Sequence, residues 1–381
     1  MQKKSKEYYL KPYATKSIYS KGRIHYESEN SVRSPFQRDR DRIIHSSSFR
    51  RLKHKTQVFV NTEGDHYRTR LTHSMEVSQI ARTLARALGL NEDLCETLSL
   101  AHDLGHTPFG HAGEEILSQC MERYGGFDHN IQTLRIVTFI ENKYYKFYGL
   151  NLTIETLDGL IKHNGPVKNI NLYKKILKND LFTGKIVFNT FPSLEAQVAA
   201  ISDDIAYNNH DLEDGLRAGL FTIKEFSSIP FVTKLVKKHL QNIKNFKREI
   251  IISQIVRWLI NKMVLDVIKT TYQNLKKSNP RSINDIYKND YLIVDFSDKM
   301  KKIDMQIKDF LRINMYSHKK VIVNTNKGKK IISNLFNFLI KNPKRYIKGD
   351  LFKNDSKERV VADFKAGMTD RYAINLYNKI K

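Results

Sequence analysis

Ala101-His-Asp-Leu-Gly-His-Thr-Pro-Phe-Gly-His-Ala-Gly-Glu114 decides how the rest of the chain is read. It sets His102 beside Asp103 and adds His106, His111 and Glu114 within about three to four helical turns. Outward from it, Leu71-Thr-His73-Ser lies upstream and Ser202-Asp-Asp-Ile-Ala-Tyr-Asn-Asn-His-Asp211 lies far downstream. The flanking sequence reads as helix. Val77, Ile80, Ala81, Leu84, Ala85 and Leu88 recur at helical spacing, and Gly89 follows as a stop. Asn91 can cap the next helix, with Glu92 and Asp93 favourably placed in its first turn. Leu94, Leu98 and Ala101 line its inner face and deliver His102-Asp103 near its end. Pro108 is expected to start a fresh helix with His111 and Glu114 on one face.

Further helical patterns cover about 128–143, 151–163, 193–218, 246–276, 297–314, 330–341 and 356–379. Strand-like alternation is scarce, with short candidates at Lys185-Ile-Val-Phe188 and Lys320-Val-Ile-Val323. The expectation is an all-α fold with at most a small β-hairpin. Residues 1–38 read as an arm, and the Lys/Asn-rich stretch near 275–295 as a boundary or long loop. No repeat of fixed period is present.

With 381 residues the chain can bury a substantial core. No run of about 20 apolar residues exists, so no membrane span is expected. The charged N-terminus has no apolar h-region, so a cytoplasmic protein without a signal peptide is expected. Cys95 and Cys120 then read as reduced thiols. The net charge of +25 points either to an anionic partner, nucleic acid or nucleotide polyphosphate, or to compositional drift toward Lys, Asn and Ile. The Lys-rich tracts are scattered through the second half and few aromatics interleave with them, which fits solvated helix faces better than a stacking groove.

A lone His-Asp pair is weak evidence for a metal, and His210-Asp211 is a second such pair in this chain. The combination is stronger. His73, His102, Asp103 and a later helical Asp form a set of two nitrogens and two oxygens that balances a divalent cation and leaves positions open for water and a phosphate oxygen. The lack of Cys ligands argues against a closed structural zinc site. A six-coordinate Mn, Mg, Fe or similar ion is expected. The remaining His and Glu residues are acid/base types that hydrolysis needs.

Six segments carry a resemblance: Arg40–Phe59, Gly64–Ser74, Ala101–His111, Phe127-Asp-His-Asn130, Asp203-Asp-Ile-Ala-Tyr207 and Gly367-Met-Thr-Asp-Arg-Tyr-Ala373. Together they resemble the HD-domain deoxynucleoside triphosphate triphosphohydrolases, and most of all the bacterial deoxyguanosine triphosphate triphosphohydrolase-like group. The motifs span residues 40–373, although 220–345 holds none. The resemblance implies an HD-domain helical bundle over 39–220, with C-terminal helices of 221–381 packing back on it. It implies hydrolysis of a dNTP to a deoxynucleoside and intact triphosphate, by water attack at the α-phosphorus, with a homo-oligomer as the assembly.

The family's metal set maps onto His73, His102, Asp103 and Asp203. Asp203 is preferred to Asp204 because Tyr207 and Asp211 then follow at four and eight residues, as in the family pattern, a spacing that keeps all three on one helix face. His111 is the first candidate for proton transfer, with Glu114 orienting it. The resemblance places His106 and His129 along the phosphates. Arg70 lies three residues before His73 and suits phosphate oxygens; Arg68 has the weaker position. Gln57 and Asp211 would read the sugar 3′-hydroxyl, and Tyr207 would stack on the sugar and resist a 2′-hydroxyl. Two rival readings remain: another HD phosphohydrolase, or a basic nucleic-acid-binding protein with a vestigial metal site. The sugar-reading set speaks against the first rival, and His111 with Glu114 against the second.

Overall fold

The computed structural model describes residues 7, 9–28, 30–57, 67–177, 184–240, 246–347 and 355–380. Val58-Phe59 and Gly64-Asp-His66 of the motifs lie outside the described residues, as do parts of the arm. The helices, in order, are α1 Pro35–Ile44, α2 Ser47–Arg51, α3 Arg70–Leu88, α4 Glu92–Ala101, α5 Gly110–Met121, α6 His129–Arg135, α7 Ile154–Ile161 and α8 Ile170–Ile176. There follow α9 Leu194–Arg217, α10 Ile223–Phe226, α11 Pro230–Leu240, α12 Arg248–Ser278, α13 Ile283–Tyr287 and α14 Asp298–Leu311. The last are α15 Lys319–Lys341, α16 Pro343–Tyr346, α17 Lys357–Ala366 and α18 Asp370–Ile380. Among the described residues there is no strand, only three isolated bridges. The fold is all-α.

Local chemistry sets the helix ends. The Asn91 side chain accepts from Leu94 N at 3.2 Å and starts α4. Asp128 does the same for α6 through Ile131 N at 3.0 Å, and Ser193 for α9. Gly89 closes α3 in the left-handed region at φ 68°.

Five expectations need correction. Lys320–Val323 is the first turn of α15, because Val321 shares a buried face with Gly328, Ile331, Ile332 and Leu335. Lys185–Phe188 forms bends and turns instead of a strand. The α5 helix starts at Gly110 instead of Pro108, since Phe109 takes a left-handed conformation (φ 61°). The 356–379 pattern is two helices, broken by Gly367-Met-Thr369. The 275–295 stretch also lies closer to the core than expected: Ile286, Ile293, Val294 and Phe296 are buried with α3 and α9.

Three apolar clusters hold the molecule. The largest joins α3, α9, α12 and α14. A second joins α1, α4, α6 and α7. The third seats α15, α17 and α18 on α5, through Phe109, Leu117, Ile331, Leu335, Val360 and Tyr377. The segment before α1 straps the bundle. Thr15 N and Oγ1 donate to buried Glu195 at 2.9 and 2.7 Å, and Arg23 pairs with Asp39 at 2.5 Å.

Candidate metal centre and active site

Three segments bring metal-ligand types together. The first turn of α3 supplies His73, the 3-10 turn His102–Gly105 supplies His102 and Asp103, and mid-α9 supplies Asp203. His73 Nε2 lies 2.9 Å and His102 Nε2 3.4 Å from Asp203 Oδ1. Donor atoms of His73, His102 and Asp203 all lie within 4.8 Å of one another. Asp103 flanks them: its Oδ1 is 3.5 Å from His102 Nε2, while both its oxygens accept from Arg70 Nη1 at 3.0 Å. Asp204 points away and pairs with Lys308 at 3.1 Å.

The rings are oriented for a cation. His102 Nδ1 donates to Ser99 O at 2.6 Å, which turns Nε2, the nitrogen that a bound ion would take in place of a proton, toward Asp203 and Asp103. His210 Nε2 meets Glu76 Oε2 at 2.8 Å, and its Nδ1 lies 3.1 Å from His73 Nδ1. Burial pulls the His210 pKa down to about 4, so the ring is neutral and its one N–H, on Nε2, donates to Glu76. His73 Nδ1 must then donate, and His73 Nε2 is left free for an ion. In the sequence His210 is half of a second His-Asp pair with nothing to distinguish it; its contact with His73 reveals it. His163 was missed altogether. Its Nε2 lies 3.5 Å from Asp203 Oδ2 and its ring stacks on His102 at 5.5 Å.

The electrostatics agree with a cation site. Burial disfavours the His102 imidazolium, yet Asp103 and Asp203 outweigh it and lift that pKa to about 9. Burial likewise opposes ionisation of Asp203, but His102 holds the carboxyl well below its usual range. The pocket favours positive charge. Two imidazoles with carboxylates and no thiolate fit a divalent ion with open positions.

Beside this group stand His106, His111, Glu114 and His129. Glu114 Oε1 accepts from His129 N at 2.9 Å and meets His129 Nδ1 at 2.8 Å. Glu114 Oε2 is 3.9 Å from His111 Nδ1, so its closest imidazole is His129, not His111 as expected. Burial lowers the His129 pKa less than Glu114 raises it. His106 and His129 stack at 4.0 Å. The His111 side chain is 62% exposed and its ring lies 6.1 Å from that of Tyr207. Gly105 lets α6 approach, because a Cβ there would stand 2.0 Å from His129 O.

Tyr207 and Asp211 lie one and two turns beyond Asp203 on α9. Tyr316 closes over them from a π-turn at Arg312–Tyr316. Its hydroxyl donates to Asp211 Oδ2 and lies 3.2 Å from the Tyr207 hydroxyl. Burial pushes the Asp211 pKa up to about 7. No motif marked Tyr316 in the sequence. Gln57 is buried at the end of a described segment. Arg68 is taken up by Glu76, Glu213 and Asp214 at 2.9, 2.6 and 3.1 Å, which removes it as a phosphate ligand.

Unpartnered polar atoms converge here. Among the described residues thirteen buried side-chain nitrogens and oxygens lack a hydrogen-bond partner. Six belong to this site: Gln57 Oε1, Arg70 Nε and Nη2, His102 Nε2, His106 Nδ1 and Asp211 Oδ1. Orphaned buried groups are costly in a finished core and expected where a ligand completes them. A cavity of about 630 Å³ lined by Phe139, Tyr144, Tyr145, Phe147 and Tyr148 includes none of these residues and is not where the chemistry gathers.

The Gly367–Ala373 motif, uninterpretable by composition, reaches this site. Asp370 accepts from Phe109 N at 3.0 Å and from Thr56 N at 2.8 Å. Lys55 Nζ donates to His106 O at 2.5 Å and Ala366 O at 2.8 Å.

Comparison with known proteins agrees with the geometry. An HD domain matches residues 70–181 and a phosphohydrolase-associated domain matches 294–379. A deoxyguanosinetriphosphate triphosphohydrolase-like protein of Pelagibacter ubique (strain HTCC1062) is 58% identical over 357 residues, covering 94% of this chain and 96% of its own. Proteins so described from Bartonella tribocorum (strain CIP 105476 / IBS 506) and Brucella melitensis biotype 1 (strain ATCC 23456 / CCUG 17765 / NCTC 10094 / 16M) are 48% and 45% identical, each over 97% of this chain and over 96% and 94% of their own. The chain therefore belongs to the deoxyguanosinetriphosphate triphosphohydrolase-like family of HD-domain phosphohydrolases.

Proposed function

We propose that this protein hydrolyses deoxynucleoside triphosphates, dGTP or dNTPs in general, to a deoxynucleoside and inorganic triphosphate. The carrying observation is the set of six orphaned polar atoms around one candidate cation site. They divide into phosphate-binding, metal-binding and sugar-binding types, the three parts of a metal-nucleotide.

His73, His102, Asp103 and Asp203 would hold the divalent ion, Mn, Mg or Fe. When bound, it withdraws charge from the phosphate and lowers the pKa of water. Arg70 Nε and Nη2 and the His129 ring donate to phosphate oxygens and stabilise charge as it grows. Water oxygen bonds to the α-phosphorus as the bond to the sugar 5′-oxygen breaks. His111, more open than His106 and His129, moves the proton between water and the leaving oxygen. His106 lines the same pocket. Gln57 and Asp211 hold the 3′-hydroxyl, while Tyr207 packs on the sugar where a 2′-hydroxyl would clash. The active form is a homo-oligomer in the cytoplasm.

The test is product analysis across the four dNTPs, alone and mixed, with Mn or Mg. The expected products are deoxynucleoside and inorganic triphosphate. Nucleoside diphosphate with orthophosphate, or nucleoside monophosphate with pyrophosphate, would overturn the reading.

A further inference from the structure

The aromatic cavity shares no residue with the orphaned atoms of the cation site and has a chemistry of its own. Tyr144-Tyr-Lys-Phe-Tyr148 puts four rings into five residues. Together with Phe139 and with His25 of the N-terminal strap, they line about 630 Å³, room for one flat bicyclic molecule. Tyr145 is 93% and Tyr148 53% exposed, a cluster of rings in water that marks a contact surface. The loop that carries them is anchored at both ends. It springs from a π-turn at Ile136–Ile140, a local winding frequent at functional sites. Glu141 N donates to Ile136 O at 3.0 Å on entry, and Leu150 N to Val137 O at 2.7 Å on exit. Gly149 packs on the π-turn, where a Cβ would stand 2.4 Å from Thr138 C.

The rings are arrayed as stacking surfaces. His25 and Phe147 lie within 6° of parallel, with centroids 5.4 Å apart. Tyr144 leans on Phe147 at 5.1 Å, and Phe139 on Tyr148 at 5.4 Å. The neighbouring cations are already engaged. Arg42, over the Tyr144 ring, donates to Leu150 O, Asn151 O and Glu27. Arg135, over the Phe139 ring, pairs with Asp363 and Asp355. Lys143 donates to His45 O at 2.6 Å. Lys146 is exposed on the rim, its ammonium 5.6 Å from the Tyr145 ring. One solvated lysine makes no phosphate cradle, which takes converging charged donors. The exposed Asn142 carboxamide adds a donor and an acceptor to the lining, the pairing that the edge of a nucleobase presents.

We propose that this cavity binds a neutral nucleobase, free or as a nucleoside, stacked on the Phe147 and Tyr148 rings with its edge on Asn142. The site stands on its rings and does not rest on the proposed reaction, although a deoxynucleoside is the class of molecule that reaction would release.

The test is equilibrium dialysis of labelled adenine against the full-length wild type, stripped of metal and held in about 0.5 M salt to screen the net charge of +25. Adenine carries no sugar, so Gln57, Tyr207 and Asp211 have nothing to hold. One adenine per chain is expected. Tyr148→Ala and Phe147→Ala should each weaken binding at least about fivefold, the usual contribution of a stacking ring. Asn142→Ala should weaken it severalfold, and Tyr207→Ala should leave it unchanged. Deoxyadenosine and dAMP should displace adenine alike. No adenine bound to the wild type, or binding lost in Tyr207→Ala and kept in Tyr148→Ala, would overturn the site; the wild-type stoichiometry decides this even if Phe147→Ala fails to fold. Displacement by dAMP more than about tenfold better than by deoxyadenosine would overturn the neutral ligand, since it reports a bound phosphate. If adenine does not bind and Tyr148→Ala lowers the oligomeric mass in light scattering, the rings serve a second copy of the chain and the proposal fails.

Discussion

Asp370 binds the backbone N–H of Phe109 at 3.0 Å, across 261 residues of chain. Phe109 is the left-handed residue between His106 and His111, with φ 61° and ψ 25°. A bulky residue there costs about 1–2 kcal/mol and persists only when its surroundings impose it. Asp370 imposes it from one side, and Gly328 of α15 from the other, where a Cβ would stand 2.9 Å from the Phe109 ring. The same carboxylate binds Thr56 N, next to Gln57. The C-terminal turn thus sets both the histidine turn and the segment that carries Gln57.

Asp370→Ala should therefore lower stability by about 2–4 kcal/mol, since it strands buried donors at Phe109 and Thr56. It should also lower kcat about tenfold while bound metal stays at the wild-type level. Chemical denaturation, steady-state kinetics and elemental analysis on one preparation check the three effects.

The sugar pocket makes a separable prediction. Tyr207→Ala should narrow the preference for dNTP over rNTP about tenfold, because it removes the surface that meets the 2′ position. Tyr316→Phe should raise KM for dNTPs severalfold with less change in selectivity, since it alters the Asp211 hydrogen bond and leaves the Tyr207 ring. Competition assays with paired dNTP and rNTP substrates read both.

Lys55 and Asp211 should contribute opposite pH dependences to the stability of the metal-free protein. Burial lowers the Lys55 pKa to about 7, so between about pH 7 and 10.4 the unfolded chain holds a proton that the folded one has lost, and stability rises with pH. Burial raises the Asp211 pKa to about 7, so between about pH 3.9 and 7 the folded chain holds a proton that the unfolded one has lost, and stability falls as pH rises. Lys55→Met should remove the rising contribution above about pH 7 and Asp211→Asn the falling one below it, each read as the difference from wild type in urea unfolding against pH.

What could be read in the sequence followed the range of the interactions. Asp203, Tyr207 and Asp211 share one helix, so their common face was legible from spacing. His102 and Asp103 were legible as a neighbouring pair. Tyr316, His163 and the His73–His210 contact were not, because each is a single residue whose meaning depends on packing between distant segments. The β-branched run at Val321-Ile-Val323 reads as strand, whereas Val321 alone shares the buried face of α15 with Ile331, Ile332 and Leu335 while Ile322 and Val323 are exposed. The Phe109 turn was hidden because the residue that imposes it comes 261 positions later.

Metal holding and proton transfer should separate by mutation. His102→Ala should lose the bound ion and turnover together. His111→Ala should keep that ion and lose turnover by about 10²–10⁴-fold, the usual range for a positioned proton-transfer group. Elemental analysis beside kcat distinguishes the two.

The most direct measurement is a single turnover of a dNTP in ¹⁸O-water, with products resolved by mass. Attack at the α-phosphorus predicts one ¹⁸O in the inorganic triphosphate and none in the deoxynucleoside. Label in the deoxynucleoside, or in released orthophosphate or pyrophosphate, would contradict it.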